Sequence, residues 1–357
     1  AGPIQLLASR VMSGDLSPKA ARAKVDWIDW DRIAGIPDEV RTIEDPIRRL
    51  ELIGSIGPWL ARRLHEVLGE EAQTCLEALL GKAPVTIRTN TLLCTREQLN
   101  ERLLAEGIET RPTRLASQGL ELVKPAQLLR SPAWRDGWFE MQDEASQLVA
   151  EIVDPPPEGL VVDACAGAGG KSLALAAMLG QQGRVLALDN DAPRLDELRR
   201  RARRAGARNI RITRVPPDSW SPDIEEQMRR ADRILVDAPC SGLGSLRRNP
   251  DLRARITEDE VRRLHAIQVG LLGRAAALLA PGARVVYATC TLLPEENETV
   301  VAEVLASHPD RHRISIAEIL GPERSAAITT ADGLALQTFP HRHGTDGFHV
   351  TVLTRAQ

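Results

Sequence analysis

The sequence lacks any apolar run that approaches the roughly 20 residues needed to cross a bilayer, and its start lacks the basic and apolar regions of a secretory signal. Cysteine is scarce, with five residues at positions 75, 94, 165, 240 and 290. An odd number without a secretory signal argues against a disulfide framework. No CxxC pair or Cys/His cluster indicates a metal site. We therefore expect a cytoplasmic protein with reduced thiols, no metal and no membrane segment.

Lysine and aromatic residues are also rare. Only five of the 46 basic residues are Lys, and the chain has one Tyr and three Phe. The net charge of -3 does not suggest a nucleic-acid binder, but nine Arg fall between positions 194 and 214, and Arg favours bidentate contacts with phosphate. For Arg199 to Arg204 we favour the simpler interpretation, which is the solvated face of a helix.

Three segments differ in their hydrophobic pattern. Residues 1–83 carry apolar residues at helical spacing, with a break near Gly57-Pro58. Residues 84–143 mix short strand-like and helical stretches, which predicts a small α+β domain. In residues 144–357, apolar strands alternate with helices, which indicates a parallel sheet covered on both faces.

The strands predicted in this last segment end in an antiparallel pair. They cover 160–165, 184–189, 209–215, 233–238 and 283–290, and a terminal hairpin covers 335–340 and 347–355. An antiparallel last strand is typical of the S-adenosylmethionine (SAM) methyltransferase variant of the doubly wound, Rossmann-like α/β fold. We place His341 and His343 in the loop before that strand.

A glycine-rich turn, DACAGAGGKS at 163–172, follows the first of these strands and opens a helix. Its glycines let the backbone approach a ligand, and the helix N-terminus can bind an anion or a carboxylate. Three interpretations compete. A P-loop would require Gly where Cys165 stands, and a dinucleotide fingerprint would require Gly in place of Ser172. A SAM-binding loop requires neither.

The next strand favours SAM. Asp189 ends that strand, where an acid can bond both ribose hydroxyls of a nucleoside ligand; the alternative is a helix N-cap. SAM carries no phosphate. Its methionine part therefore needs only the glycine-rich turn as a binding site, and its ribose needs only the acid. Asp218 follows the third strand and could reach the adenine amino group, although a plain turn residue fits that position equally well.

Two cysteines stand at strand ends. Cys240 follows the fourth strand in DAPC, and Cys290 ends the fifth in ATC. Because ligands bind at the carboxyl edge of a doubly wound sheet, we expect both thiols to reach one pocket. The alternative for a cysteine on an apolar strand is a small buried hydrophobe, which we assign to Cys75, Cys94 and Cys165.

A pair of thiols suits the methylation of carbon 5 of cytosine. That carbon is a poor nucleophile until a thiolate adds to carbon 6. Loss of the carbon 5 proton then lets the thiolate leave, and a second thiol can assist in either step. Asp237, which precedes Cys240 in the same motif, can hydrogen-bond the N3 and amine side of the ring.

The chain resembles the Sun (Nol/Nop/Sun) family of RNA cytosine-5 methyltransferases, in particular the bacterial RsmB-type small-subunit rRNA enzymes. The resemblance covers about residues 84–355 and rests on DACAGAGGK, LALDND, DAPCSGLGSLRRNPD, YATCTLLPEENE and TDGFHVTVL, in that order. It implies that Cys290 is the nucleophile and that Cys240 assists proton transfer or release. DNA cytosine methyltransferases attack with the Pro-Cys thiol instead, so the presence of both thiols implies an RNA substrate. We expect this RNA to be rRNA, with tRNA as the alternative, and we expect the enzyme to be a monomer.

The resemblance also implies which residues bind the cofactor. The SAM site would comprise Asp189, Asp218, Asp237 and the loop formed by Cys165, Ala166, Gly167, Ala168, Gly169, Gly170 and Lys171. Ala168 stands where the family usually has Pro. The 83 upstream residues are too few for the helical NusB-like domain of RsmB-type enzymes, and the chain does not begin with Met, so either processing or a missing upstream domain is possible.

Three arginines follow the Cys240 motif: Arg247, Arg248 and Arg253. We expect them to flank the substrate channel as phosphate contacts. Two other functions compete with RNA methylation. One is SAM-dependent methylation of a small molecule, with structural thiols, and the other is a non-catalytic RNA-binding or assembly factor.

Overall fold

The computed structural model describes residues 2–180 and 182–356, which divide between positions 77 and 78 into two compact units. The N-terminal unit is helical, as its apolar spacing predicts. The helices that begin in it are α1 (Pro3–Met12), α2 (Pro18–Arg22), α3 (Trp30–Arg41), α4 (Pro46–Gly54), α5 (Pro58–Leu68) and α6 (Ala72–Leu80). The predicted domain boundaries at 83/84 and 143/144 stay predictions.

Local sequence signals start these helices. Ser17, Asp29 and Asp45 accept backbone N–H groups at the N-termini of α2, α3 and α4, as helix-capping residues do. Pro58 is the first residue of α5, at the predicted break. Trp30 is fully buried among the first three helices, and its indole N–H donates to the Val25 carbonyl.

The second unit begins with a small antiparallel sheet in the order β2-β3-β1-β4. Its elements are β1 (Thr86–Thr89), α7 (Arg96–Ala105), β2 (Thr110–Pro112), β3 (Gly119–Leu122), α8 (Pro132–Arg135) and β4 (Phe139–Met141). Ile87, Leu99, Leu120 and Phe139 are fully buried in its core. The sequence did not predict β2, which has three residues, one of them a proline that cannot donate to a ladder.

An eight-stranded sheet forms the rest of the unit. Its strands are β5 (Leu160–Asp163), β6 (Arg184–Asp189), β7 (Ile210–Arg214), β8 (Arg233–Asp237), β9 (Arg284–Thr289), β10 (Arg311–Ile314), β11 (Ala335–Gln337) and β12 (His349–Arg355). The order is β10-β12-β9-β8-β5-β6-β7, with β11 paired to β12. Strands β5 to β9 run parallel and β12 is antiparallel to β9, which confirms the predicted fold class.

Helices cover both faces of this sheet. They are α9 (Glu144–Val153), α10 (Gly170–Met178), α11 (Ala192–Arg204), α12 (Pro222–Arg229), α13 (Glu258–Leu278), α14 (Glu298–Ser307), α15 (Ile316–Leu320), α16 (Pro322–Ser325) and α17 (Pro340–His343). Neighbouring strand residues point to opposite faces. Val161 therefore packs in one core with Leu148 of α9, and Val162 packs in the other with Leu272 of α13.

Two short elements that are rich in arginine and histidine were not predicted from the sequence. Strand β10 reads RHRI and was not predicted, because its apolar character is low; the Arg311 guanidinium is nevertheless buried and donates to the Ala276 carbonyl. His341 and His343 lie on α17 rather than in a loop, so that prediction was wrong. The His343 side chain closes this short helix by accepting the Phe339 N–H.

The small sheet docks on α11 through a close approach of backbone. The Asn90 side-chain amide donates to the carbonyls of Gly137 and Ala205, at 2.8 Å each. The buried Glu140 carboxylate of β4 accepts from both Arg201 and Arg204. The predicted solvated face was therefore wrong for these two arginines, because a buried acid lies opposite them.

Substitution of Gly137 tests whether the small sheet packs against α11 in this way. It has φ +76°, and a Cβ there would lie 2.0 Å from the Arg204 carbonyl oxygen. Gly107, with φ +79° and no heavy atom within 4 Å of the place a Cβ would take, is a matched control. Each Gly→Ala change costs about 1–2 kcal/mol for left-handed backbone, and Gly137→Ala adds about 1–3 kcal/mol for the overlap. Urea unfolding should show this difference, and equal losses of stability would contradict the docking.

Candidate active site

An open cleft of about 900 Å³ lies at the carboxyl edge of the parallel strands. Loops after β5, β6, β7, β8 and β9 all contribute to its walls. This is the edge at which doubly wound folds bind ligands. Every predicted cofactor residue except Gly169, and both candidate catalytic cysteines, line the cleft.

The glycine-rich turn forms one wall. Gly169 has φ +87° and precedes α10, and a Cβ there would lie 2.0 Å from a Leu198 methyl carbon, so glycine allows the turn to pack against α11. Asp163 anchors the strand side of the turn by accepting the Ser172 hydroxyl at 2.6 Å. Burial raises the pKa of Asp163 to about 7. The first turn of α10 leaves N–H groups that suit a carboxylate ligand.

The Arg201 side chain of α11 bonds the glycine-rich turn to the small sheet. One guanidinium nitrogen donates to the Ala168 carbonyl at 2.7 Å, and two others donate to Glu140. The Arg201 side chain is 16% exposed and the Glu140 side chain 1%. The turn that lacks the usual proline is thus fastened to the small sheet by one arginine.

Asp189 belongs to the same wall. Its carboxylate accepts the Gly167 N–H at 2.7 Å and the Asp191 N–H at 2.8 Å, while Asp191 caps α11. The N-cap alternative for Asp189 is therefore wrong. A carboxylate has about four acceptor positions, so two remain for hydroxyl groups in the cleft.

The opposite wall follows β7. Asp218 is exposed there, and its carbonyl accepts from Arg274, which also lies 5.1 Å from the Trp220 ring centroid. Trp220 is buried and lines the cleft. Reasoning from sequence missed Trp220 and Arg274, because neither stands at a strand end.

Lys171 and Asp237 form an ion pair in the wall of the cleft, with Nζ and Oδ2 2.6 Å apart. Burial opposes the charge of Lys171, but Asp237, with Cys290 and Asp163, outweighs burial and raises the pKa of Lys171 above its ordinary value. The ammonium also lies 5.1 Å from the Phe348 ring centroid. Since Lys171 is held by a protein carboxylate in this way, the P-loop interpretation finds no support.

Cys240 and Cys290 meet in the cleft, as their positions predict. Their Sγ atoms are 3.3 Å apart, and the Cys290 N–H donates to the Cys240 Sγ over the same distance. All five cysteines are free thiols; Cys75 and Cys94 are buried, and Cys165 is half-buried against the core.

The two thiols differ in acidity. The hydrogen bond from the Cys240 thiol lowers the pKa of Cys290, with further help from Lys171 and Ser245, against burial and Asp237. Donating that bond raises the pKa of Cys240 well above its usual range, and burial and Glu296 add to the rise. The Cys290 N–H acts the other way on Cys240 but is outweighed. Cys290 is therefore the more acidic of the two thiols.

The three arginines after the Cys240 motif have different environments. Arg247 is 4% exposed and pairs with Asp346 and Asp143, two carboxylates that are themselves buried. Arg248 pairs with the same two carboxylates and is 30% exposed. This placement argues against a phosphate contact by Arg247. Contacts by Arg248 and by the half-buried Arg253 stay predictions.

Several cleft residues were not predicted from the sequence. Gln142 and Asp143, in the segment that joins the small sheet to α9, and Ser146, in the first turn of α9, line the cleft. Their signal was weak, because a polar segment before a helix is typical of an N-terminal cap, and Asp143 does cap α9. Among residues 2–180 and 182–356, no cluster of His, Cys, Asp or Glu could hold a metal, and no helix is long and apolar enough to span a bilayer.

Two family models match the chain. The model for the 16S rRNA methyltransferase RsmB/F matches residues 150–354, and that for the RsmF/B-like ferredoxin-like domain matches residues 57–128. A methyltransferase homologue from Pyrococcus horikoshii has a similar structure, with a TM-score of 0.74 and 27% identity, over 88% of this chain and all of that one.

Relatives in bacteria agree with these models. The probable ribosomal RNA small subunit methyltransferase B of Bacillus subtilis is 34% identical over 317 residues, which are 88% of this chain and 70% of the relative. The protein of the same description from Synechocystis is 34% identical over 304 residues, 85% of this chain and 67% of the relative. The chain therefore belongs to the RsmB/F family of rRNA methyltransferases.

Proposed function

We propose that this protein transfers a methyl group from SAM to carbon 5 of a cytosine in RNA, through a covalent adduct between Cys290 and carbon 6. The observation that carries the proposal is the contact between two thiols in the cleft, of which Cys290 is the more acidic. A nucleophile that adds to a pyrimidine ring must be a thiolate, and the acidity of Cys290 supports that role.

The residues divide the reaction as follows. The Cys290 thiolate adds to carbon 6, and the electron pair of the ring then makes carbon 5 nucleophilic toward the methyl group. After the transfer, a water molecule in the open cleft accepts the carbon 5 proton. The electron pair of that C–H bond re-forms the double bond between carbons 5 and 6, and the bond between carbon 6 and Cys290 breaks, which returns the thiolate. Cys240, the less acidic thiol, donates a hydrogen bond to the leaving Cys290 sulfur, which stabilises the thiolate and so assists release.

Asp237 and Lys171 would hold the target base. A carboxylate can accept from the exocyclic amine of cytosine, and an ammonium can donate to an acceptor on the ring. Their mutual contact at 2.6 Å fixes both groups beside Cys290 before the substrate arrives. Preorganised charges of this kind stabilise charge that develops on the ring.

The cleft suits SAM, which supplies the electrophilic methyl group when bound. The first turn of α10 would meet the methionine carboxylate, and Asp189 has acceptor positions left for the ribose hydroxyls. Asp218 and the buried Trp220 would meet the adenine. Cys165, Ala166, Gly167, Ala168, Gly169 and Gly170 would contribute the backbone of the turn.

We infer that the substrate is small-subunit rRNA, presented as an unpaired or flipped cytosine, because carbon 6 is inaccessible in a stacked duplex. The RNA named for the relatives supports this choice, and tRNA is the alternative outcome of a substrate test. We also propose that the enzyme acts as a monomer.

RNA that contains 5-fluorocytosine tests the covalent step, since fluorine at carbon 5 blocks the elimination. The wild-type protein with SAM should form a complex that survives denaturation, and Cys290→Ala should form none. Cys240→Ala should accumulate an adduct even with ordinary cytosine, because release slows. Cys94→Ala, a buried cysteine of the small sheet, is the control and should behave as wild type. Adduct formation by Cys290→Ala would refute the assignment.

Lys171 should set the pH at which Cys290 reacts. The ammonium lowers the pKa of the Cys290 thiol, so its loss raises that pKa and leaves less thiolate at a given pH. In Lys171→Met, the pH profile of Cys290 alkylation by iodoacetamide should move to higher pH by about one unit. Lys124→Met removes an exposed lysine and should leave the profile in place. A shift to lower pH would contradict the charge arrangement.

Arg201 should determine affinity for SAM. Arg201→Ala frees the Ala168 carbonyl and removes one of two partners from buried Glu140, so we expect the Kd for SAM to rise about tenfold. Arg201→Lys should show an intermediate loss, because one ammonium cannot reach both acceptors as well. Arg199→Ala, on the same helix with an exposed ion pair to Asp196, is the control. Titration calorimetry measures all three, and an unchanged Kd for Arg201→Ala would overturn the prediction.

A further inference from the structure

A buried carboxylate outside the cleft contacts the loop that carries Cys240. Glu296 ends a single 3-10 turn between β9 and α14, and its exposure is 0%. Its backbone carbonyl accepts the Tyr287 hydroxyl at 2.6 Å, so β9 fixes its position. The sequence contains this glutamate within the motif PEENE, but nothing in the sequence pattern assigned a task to it.

Glu296 and Gln268 form hydrogen bonds with the residues on either side of Cys240 in the chain. Glu296 accepts the backbone N–H of Ser241 at 2.8 Å and the hydroxyl of Ser241 at 2.5 Å. The Gln268 amide donates to the Pro239 carbonyl at 2.9 Å and to Glu296 at 3.0 Å. The residues immediately before and after Cys240 are therefore bonded to one buried pair, which we call the Glu296–Gln268 clamp.

The clamp brings a charge as well as hydrogen bonds. In the part of the chain that the structure describes, no Lys, Arg or His nitrogen pairs with Glu296. Its carboxylate interacts with Ser241, Gln268 and the Thr291 hydroxyl, which is also bonded to Ser241 at 2.9 Å. Burial raises the pKa of the Glu296 carboxyl above its usual range, although the hydrogen bonds from Ser241, Gln268 and Thr291 act the other way. In its charged form, this carboxylate acts strongly on its neighbours, because little solvent screens it. The neighbour whose thiolate it opposes is Cys240.

The other charged groups act on the opposite thiol. Cys240 faces Cys290, Glu296 and the Tyr287 hydroxyl. Cys290 faces Cys240, Asp237, Lys171 and Ser245. Among these groups, Glu296 and Lys171 favour a proton on Cys240 and a negative charge on Cys290, whereas Asp237 opposes the charge on Cys290.

We propose that Glu296 is a positioning residue that, with Gln268, aims the Cys240 thiol at Cys290 and keeps the shared proton on Cys240. The proposal rests on the proposed function for its catalytic meaning, since it explains why Cys290 is the nucleophile of the pair. Its physical content, the distribution of one proton between two thiols, can be measured without RNA or SAM.

Glu296→Gln removes the charge and keeps the shape. The new amide oxygen can accept the Ser241 N–H, and the new amide nitrogen can donate to the Ser241 hydroxyl. Without the negative charge, Cys240 loses its proton more easily. Limited alkylation with iodoacetamide near pH 7, followed by peptide mass spectrometry, measures the ratio of labelled Cys240 to labelled Cys290. We expect that ratio to rise roughly tenfold, which corresponds to one pKa unit.

Two further variants separate charge from geometry. Gln268→Leu leaves the Pro239 carbonyl without its donor and removes one of several hydrogen bonds that lower the pKa of Glu296. The alkylation ratio should therefore rise less than in Glu296→Gln, while the Cys240 thiol is positioned less well. Glu298→Gln is the matched control, because it makes the same chemical change two residues away, on a glutamate whose side chain is 44% exposed. Thermal melting of each variant establishes that it is folded.

The adduct assay completes the test. With ordinary RNA and SAM, Glu296→Gln and Gln268→Leu should both retain the covalent complex several-fold longer than wild type, and Glu298→Gln should not. An unchanged alkylation ratio in folded Glu296→Gln would overturn the proposal, and so would wild-type release in both clamp variants. If wild type forms no adduct at all, the proposed function fails, while the alkylation ratio still decides the role of Glu296.

Discussion

The contact between the Cys240 and Cys290 sulfur atoms, at 3.3 Å, is the interaction on which the rest of the site depends. Parallel pairing of β8 with β9 places Asp237 opposite Ala288, so both chains leave the sheet at the same edge. The Gly244 N–H then donates to the Cys290 carbonyl at 2.9 Å, which turns the Cys240 loop back over the end of β9. The meeting of the two thiols in one pocket thus follows from the strand register and from one hydrogen bond of the loop.

Two chemically identical groups in contact need an asymmetric environment to perform different tasks. Lys171 lies on the Cys290 side and Glu296 on the Cys240 side, and both reach the pair from buried positions. Because a low-dielectric site strengthens such charges, Lys171 and Glu296 add to the effect of the hydrogen bond between the thiols and favour Cys290 as the more acidic sulfur, although Asp237 acts the other way. The same buried placement costs stability, and the hydrogen bonds to Ser241, Gln268 and Asp237 offset that cost.

The sequence predicts those features that follow from local pattern. Apolar strands, the glycine-rich turn and cysteines at strand ends are local, so the doubly wound sheet and the meeting of the thiols could be predicted. Glu296 and Arg201 could not, because their tasks arise from contacts across 55 and 33 positions of the chain. A charged residue on a helix predicts solvent exposure, and Arg201 departs from that rule only because Glu140 is buried opposite it.

The measurement that tests the account most directly is peptide mass spectrometry of the complex trapped with 5-fluorocytosine RNA. Digestion of the protein and the RNA leaves a modified nucleotide on one cysteine-containing peptide, and fragmentation identifies that cysteine. The account predicts the nucleotide on Cys290, with Cys240 unmodified. A nucleotide on Cys240 would contradict the division of tasks between the two thiols.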